Sequence, residues 1–235
     1  TSAFLAAHRD VSAVFGSYDD EPAEPGFLSQ FKNLFHHYTH QAAEANARTF
    51  WAGCGAVRRD AFRKVGGFNE RYTRPSVEDI ELGYRLNRQG FAVRLEKSIQ
   101  GTHLKRWTFR ELIRSDIIDR ALPWTALLLK EGRLANDLNI RVSARLSAAG
   151  VLLGVIGIAA GPLHWGLAVC GGLLLVIVIL VNLPLYGFFM RKRGLWFAAR
   201  VMPLHLLYLL YSVVTFPVGV LLHRMKLLKA GGSDT

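Results

Sequence analysis

Apolar residues follow two regimes along this chain. Over roughly the first 140 positions they come in short runs broken by polar residues, as in a folded soluble domain. From residue 146 to residue 190 no Asp, Glu, Lys or Arg occurs, an uninterrupted stretch of 45 residues. In the first regime, "VSAVFGSY" (11–18) predicts a short buried strand, closed by the acidic turn "DDEPAEPG". Residues 27–47 predict a helix, because Phe31, Leu34, Phe35 and Tyr38 recur at spacings of three and four. "TFWAGCGAV" (49–57) predicts a strand whose Gly53 and Gly55, around Cys54, admit a close neighbour. Asp60 is expected to cap a short helix over 61–65 that Gly66 or Gly67 ends. A helix follows from Val77, with Val77, Ile80 and Tyr84 in step, Glu81 paired to Arg85, and Gly90 as its stop. Residues 91–95 predict a strand, and 108–129 a helix broken near Pro123.

The second regime has another length scale. At about 20 residues per crossing, 45 uncharged residues hold two membrane spans rather than one. Their break belongs at "GPLHW" (161–165), where Pro and an interfacial Trp suit a turn at the membrane surface. A third apolar stretch (195–222) contains Arg200, Pro203, His205 and Pro217; it either crosses with kinks or lies partly in the interface.

Charge separates the same two regions. The net charge is +11, of which +3 falls in residues 1–140 and +8 in 141–235, where Asp234 is the lone acid. Basic residues flanking apolar runs are a membrane pattern, and they argue against nucleic acid as a partner. Arg141 and Arg145 before the first span, and Arg191, Lys192 and Arg193 after the second, place residues 1–140 on the cytoplasmic side. A third full crossing would put Arg224, Lys226 and Lys229 outside, against that rule. Cys54 and Cys170 read as two unpaired thiols facing a reducing compartment. The first residue is Thr1 and no signal peptide is visible, so the chain is expected to be a fragment or a processed product.

Candidate chemistry concentrates in "RPSVEDIELGYRLNRQGFAVRLEKSIQGTHLKRW" (74–107). Two readings compete there. Ser76 followed by Asp79 has the spacing of a capping box, and acids suit a first helical turn. "HLKRW" can be a basic surface turn whose Trp packs on the core or lies at the membrane. Alternatively, a carboxylate at a helix N-terminus, Asp79 with Glu78 beside it, can take a proton from a hydroxyl nucleophile. Lys105 and Arg106 can then neutralise a departing diphosphate, His103 can bind a metal or a phosphate, and Trp107 can offer a flat face to a sugar or isoprenoid. Two other clusters favour plain roles. Asp19 and Asp20 read as a solvated loop rather than metal ligands, and His36 and His40, four apart, as packing rather than a metal pair.

The order "FWAGCGAVRRDAFRKVGGFNE…RPSVEDIELGYRLNRQGF…GTHLKRW" resembles the C-terminal half of family 2 inverting glycosyltransferases with the GT-A fold. The resemblance runs from about Val11 to Trp107. It implies an α/β fold: residues 1–140 form the acceptor half of a GT-A nucleotide-diphospho-sugar transferase domain, and 141–235 an α-helical membrane region of two or three spans. It further implies Asp79 as general base, with Glu78 as supporting acid. Lys105, Arg106, Trp107, Gly53, Cys54 and Gly55 would contact donor diphosphate or acceptor, and His103 would be a metal ligand. His103 stands where the family's Q-x-x-R-W motif has Gln, which points to a non-processive enzyme. The implied cofactor is a divalent metal, Mg2+ or Mn2+. The implied partners are a nucleotide-sugar donor, a lipid-linked or glycan acceptor, and a cell inner or plasma membrane. The family's nucleotide-binding half, with its D-x-D motif, would precede Thr1, so residues 1–235 alone are expected to be inactive. The competing reading is a non-catalytic membrane scaffold or a pseudoenzyme with a GT-A-like binding module.

Overall fold

The computed structural model describes residues 1–132 and 141–227. Lys229 and Asp234 of the tail, and the expected boundary at residue 140, lie outside the described residues. The chain forms two compact units, Thr1–Asn139 with Gly219–Thr235, and Ile140–Val218.

The first unit is a mixed α/β body. Helix α1 (Ser2–Ala7) leads into β1 (Val11–Tyr18), followed by α2 (Phe27–Ala42) and the short β2 (Asn46–Ala47). A 3₁₀ turn (Ala52–Cys54), β3 (Gly55–Val57) and α3 (Arg59–Lys64) come next, then α4 (Glu78–Arg88) and β4 (Ala92–Gly101). The four strands form one sheet in the order β2-β4-β1-β3. β1 and β4 run parallel, while β3 and β2 add antiparallel edges. A parallel pair requires a long crossover, and everything from α2 to α4 supplies it.

Central β1 is apolar along nearly its whole length because both its faces are covered. Ala13 and Phe15 pack with Phe50, Leu82, Leu86, Val93 and Leu95, while Val11 and Val14 pack with Leu5. Helix α4 reaches this core through Gly83. A Cβ there would lie 2.3 Å from the Phe50 nitrogen and 2.6 Å from the Thr49 carbonyl carbon, so only glycine lets the helix press on that backbone. Overpacking of this kind costs about 1–3 kcal/mol. Gly83→Ala is therefore expected to lower the thermal midpoint of the intact protein in detergent, whereas Gly90→Ala, strained only by its left-handed φ of 78°, lowers it less.

Helix α2 ends at Ala42 rather than residue 47, and the 49–57 segment is a strand only over Gly55–Val57. Arg58, not Asp60, holds the N-cap position of α3, and Asp60 sits in the first turn. Strand β4 extends past residue 95 to Gly101. Gly66, Gly67 and Gly90 do end their helices, with φ of 82°, 71° and 78°. The expected Glu81–Arg85 pair forms at 2.7 Å. Arg85 also donates to the Val65 and Gly67 carbonyls, tying α4 to the "GGF" loop.

Beyond β4 the chain is helical: α5 (Phe109–Arg114), a π-helical segment (Ser115–Ala121) and α6 (Leu122–Glu131). The capping box expected at Ser76 is found instead at Thr108, whose side chain and that of Glu111 satisfy each other's backbone N–H. Pro123 disturbs the helix where expected. It has no N–H to offer the Asp119 carbonyl four residues back. The Ser76 hydroxyl donates to that carbonyl at 2.6 Å instead.

The second unit contains α7 (Val142–Ala159), α8 (Trp165–Val181), α9 (Leu183–Arg193) and most of α10 (Leu195–Arg224). The break expected at 161–165 is present, and the His164 ring caps α8 by accepting from the Gly166 N–H at 3.1 Å. Helices α7 and α8 approach at backbone distance: a Cβ on Gly171 would fall 2.5 Å from the Gly154 carbonyl oxygen. Small residues at the contact are the packing device of membrane helices. Asn182 fixes the end of α8 through the Ser147 hydroxyl at 3.0 Å. Helices α7 and α10 are each long and apolar enough to cross a bilayer, and α8 with α9, bent by 58°, makes a third candidate. Helix α10 contains both Pro203 and Pro217.

Candidate active site

The carboxyl ends of parallel strands are where open α/β sheets bind ligands. Here β1 and β4 end side by side, with Tyr18 paired to Gly101. Around that edge the chain assembles an aromatic wall. The Tyr18 ring meets His103 edge-on at 4.2 Å and Trp51 at 4.4 Å, with His36 at 5.9 Å. The buried His40 ring lies 5.1 Å from Trp51. Burial pushes the Tyr18 hydroxyl up to about 12, with Arg120 opposing and Asp79 and Cys54 adding to the rise. One phenol thus senses groups from three other segments.

Asp79 lies in the first turn of α4, half-buried. Its carboxylate accepts from the Ala52 N–H at 3.1 Å and the Ile80 N–H at 2.8 Å. Burial raises its pKa; the Ala52 N–H opposes the rise and Glu78 adds to it. Asp79 therefore does not cap α4: the N-cap is Val77, with no side-chain bond. Glu78 turns back to accept from the Ser76 N–H at 2.6 Å, so it braces the entry of α4.

His103 accepts the Lys105 N–H on Nδ1 at 3.1 Å. Burial holds its pKa down at about 4, with Lys105 and Arg120 contributing. Near neutral pH the ring is uncharged and carries its proton on Nε2, which makes it a hydrogen-bond donor. Ligating a metal through Nε2 requires the other tautomer and the loss of the Lys105 bond. Among the described residues no three His, Cys, Asp or Glu side chains are grouped to hold a metal ion.

Arg120, which local patterns did not single out, is the cation of this site. It projects from the π-helical segment and donates to His36 Nε2 at 3.2 Å. Its charge acts on Tyr18, Asp79, His36, His40 and His103. The one cue in sequence was the disturbance before Pro123, since π-turns gather at functional sites. Burial lowers both His36 and His40, His40 to about 4, so this wall is uncharged near neutral pH.

The remaining expected residues separate. Trp107 is 6 % exposed, and its backbone and indole N–H groups donate to Ser29 and Asn33 of α2. The Lys105 ammonium covers its ring at 3.7 Å, so Trp107 is an interior anchor and not an open stacking face. Arg106 is exposed. Gly53 and Gly55 do permit a close approach, but to the chain's own rings: a Cβ on either would lie 2.5 Å from Trp51 or Phe50. Cys54 is half-buried between them. Asp19 behaves as a loop residue, accepting from the Glu21 N–H at 3.1 Å and from the Thr102 hydroxyl.

Beneath the site, Lys32 of α2 and Asp116 of the π-helical segment form a pair at 2.5 Å, with side chains only 4 % and 6 % exposed. Burial pulls the Lys32 ammonium down to about 8 while Asp116 resists. Removing one partner of a buried pair costs about 3–5 kcal/mol, because the other charge is left without its counterion. Lys32→Met is expected to destabilise by that order in thermal unfolding, and Lys32→Met with Asp116→Leu to recover most of the loss.

The family described as the N-terminal domain of galactosyltransferase matches residues 32–106. No curated protein and no solved structure matches the chain. The matched span runs from α2 through Asp79 and His103 to Arg106, and it supports a glycosyltransferase-like domain there. With candidate membrane helices following it, the chain fits a membrane glycosyltransferase in general.

Proposed function

We propose that the chain belongs to an inverting glycosyltransferase of the family 2 type, built on a GT-A fold over residues 1–140 and anchored by helices within 141–235. The observation that carries the reading is Asp79. A carboxylate fixed by two backbone N–H groups and raised by burial sits beside an uncharged aromatic wall and one arginine. That is the environment a general base needs: a set position, a proton affinity moved toward neutral pH, and a cation for the leaving group.

In this reading the acceptor hydroxyl gives its proton to Asp79 as its oxygen bonds to the anomeric carbon. The bond from that carbon to the nucleoside diphosphate breaks in the same step, with inversion. Negative charge growing on the diphosphate meets the Arg120 guanidinium and the His103 Nε2–H. The acceptor is lipid-linked or a glycan, in keeping with the apolar helices that follow. Basic residues Arg141, Arg145, Arg191, Lys192 and Arg193 support a multi-pass protein of the inner or plasma membrane with residues 1–140 in the cytoplasm.

The test is release of nucleoside diphosphate by the intact protein in detergent, screened over nucleotide sugars with Mg2+ or Mn2+, the cations the resemblance implies. The matched family's description puts a nucleoside-diphosphate galactose first in that screen. Turnover with one donor, abolished by Asp79→Asn, supports the reading. Binding of a donor without turnover under every condition would reduce the protein to a non-catalytic sugar-binding module.

A further inference from the structure

Between β4 and the π-helical segment the first unit exposes apolar and basic side chains together. Leu104 is 73 % exposed, Phe109 51 % and Ile118 48 %. They are the three most exposed large apolar residues in residues 1–132, ahead of Phe68 at 41 % and Leu129 at 38 %, and they fall in one segment. Arg106, Arg110 and Arg114 are exposed in the same segment. Among the described residues none of these arginines forms an ion pair. Of the two acids within the segment, Asp116 is buried against Lys32 and Glu111 is engaged with Thr108 in the capping box.

The helix directs this set outward. Leu112 is 1 % exposed and Asp116 6 %, so that side faces the interior. Arg110, Arg114 and Ile118 recur every four residues on the opposite side. Buried Trp107, held by Ser29 and Asn33, fixes where Phe109 and the helix start. Apolar side chains interleaved with unpaired arginines are the composition of a helix that lies in a lipid headgroup layer. The ten residues between Glu131 and Val142 span at most about 35 Å. They tether α6, which continues the helical run from this segment, to α7, a candidate membrane span, so a weak attraction is enough to seat the segment.

We propose that the 104–118 segment docks on the anionic headgroup surface of the bilayer that holds this chain's own helices, with Phe109 and Ile118 entering it and Arg106, Arg110 and Arg114 pairing with lipid phosphates. This docking is independent of the sugar-transfer reading. It fixes one end of the helical run that contributes Arg120, so lipid charge bears on the geometry of the candidate site.

The test uses the intact protein with Cys54→Ser and Cys170→Ser, labelled with an environment-sensitive fluorophore at Phe109→Cys, Ile118→Cys or, as control, Phe68→Cys. Each is placed in lipid nanodiscs of phosphatidylcholine alone or with about a third phosphatidylglycerol. The expected result is a blue shift and at least twofold quenching by lipid-borne nitroxide at 109 and 118 in anionic discs. Combining Arg106→Gln, Arg110→Gln and Arg114→Gln, or adding molar salt, reverses both changes. The probe at 68 stays in water, and an unchanged thermal midpoint reports that each variant is folded. Equal quenching at 68, 109 and 118, or no difference between lipid compositions, overturns the proposal. Protection in detergent before lipid is added assigns the surface to a second copy of the chain and overturns it as well.

Discussion

Asp79→Asn lowers sugar transfer by the intact protein at least about 10²-fold, the lower end of what general-base catalysis contributes, while its thermal midpoint at pH 7 stays level or rises. Asn keeps an oxygen for the Ala52 N–H and gives up the acceptor for the adjacent Ile80 N–H, so the side chain retains its tie to residue 52. The stability effect follows from the direction of the pKa shift. Burial raises Asp79 above its ordinary value of 3.8, so the folded chain binds that proton more tightly than the unfolded chain does. Stability then falls as pH rises from 3.8 through the raised value, and above it the whole penalty of an ionised, half-buried carboxylate is present. Asn carries no such penalty at pH 7, and its advantage disappears below pH 3.8. The same shift moves the acid limb of kcat/KM upward from the ordinary value of an aspartate. A variant that loses stability and activity together would mark Asp79 as structural, and near-normal transfer by Asp79→Asn would end its role as base.

Arg120→Gln lowers transfer by about 10²–10³-fold, the usual effect of removing one fixed donor from a developing anion, whereas Arg106→Gln lowers it less than tenfold. The difference comes from position. Arg120 is half-buried beside His36, and its charge reaches Tyr18, Asp79 and His103. Arg106 is exposed, where solvent and salt screen its charge. Arg120→Lys should recover part of the loss, since it keeps the charge without the planar fork. The readout is kcat for transfer, with unfolding in detergent as the control for the loss of the His36 bond. Equal losses for Arg106→Gln and Arg120→Gln would return the diphosphate contact to the "HLKRW" segment.

Much of the secondary structure was legible because it depends on neighbours in sequence. The buried strand at 11–18, the helix after Val77, its Glu81–Arg85 pair and the Gly90 stop follow from spacing and backbone freedom. The long apolar helices and the break before Trp165 follow from hydrophobic length alone. Capping was less legible, because a cap needs a hydrogen bond as well as a spacing. Ser76 and Asp79 have the spacing, but Ser76 is drawn to a carbonyl that Pro123 leaves open and Asp79 to the Ala52 N–H.

The candidate site divides the same way. From sequence alone came the acidic N-terminus of α4, His103, and a membrane region after a sugar-transferase-like segment, since each sits in one continuous stretch with its own pattern. Only the tertiary structure decided that Trp107 is an anchor, that Arg106 faces outward, and that Arg120 is the cation beside Tyr18, Asp79 and His103. Local rules act over three or four residues along the chain. The parallel pairing of β1 with β4 and the return of the helical run across α2 bring together residues 18, 79, 103 and 120, and no local spacing records that meeting.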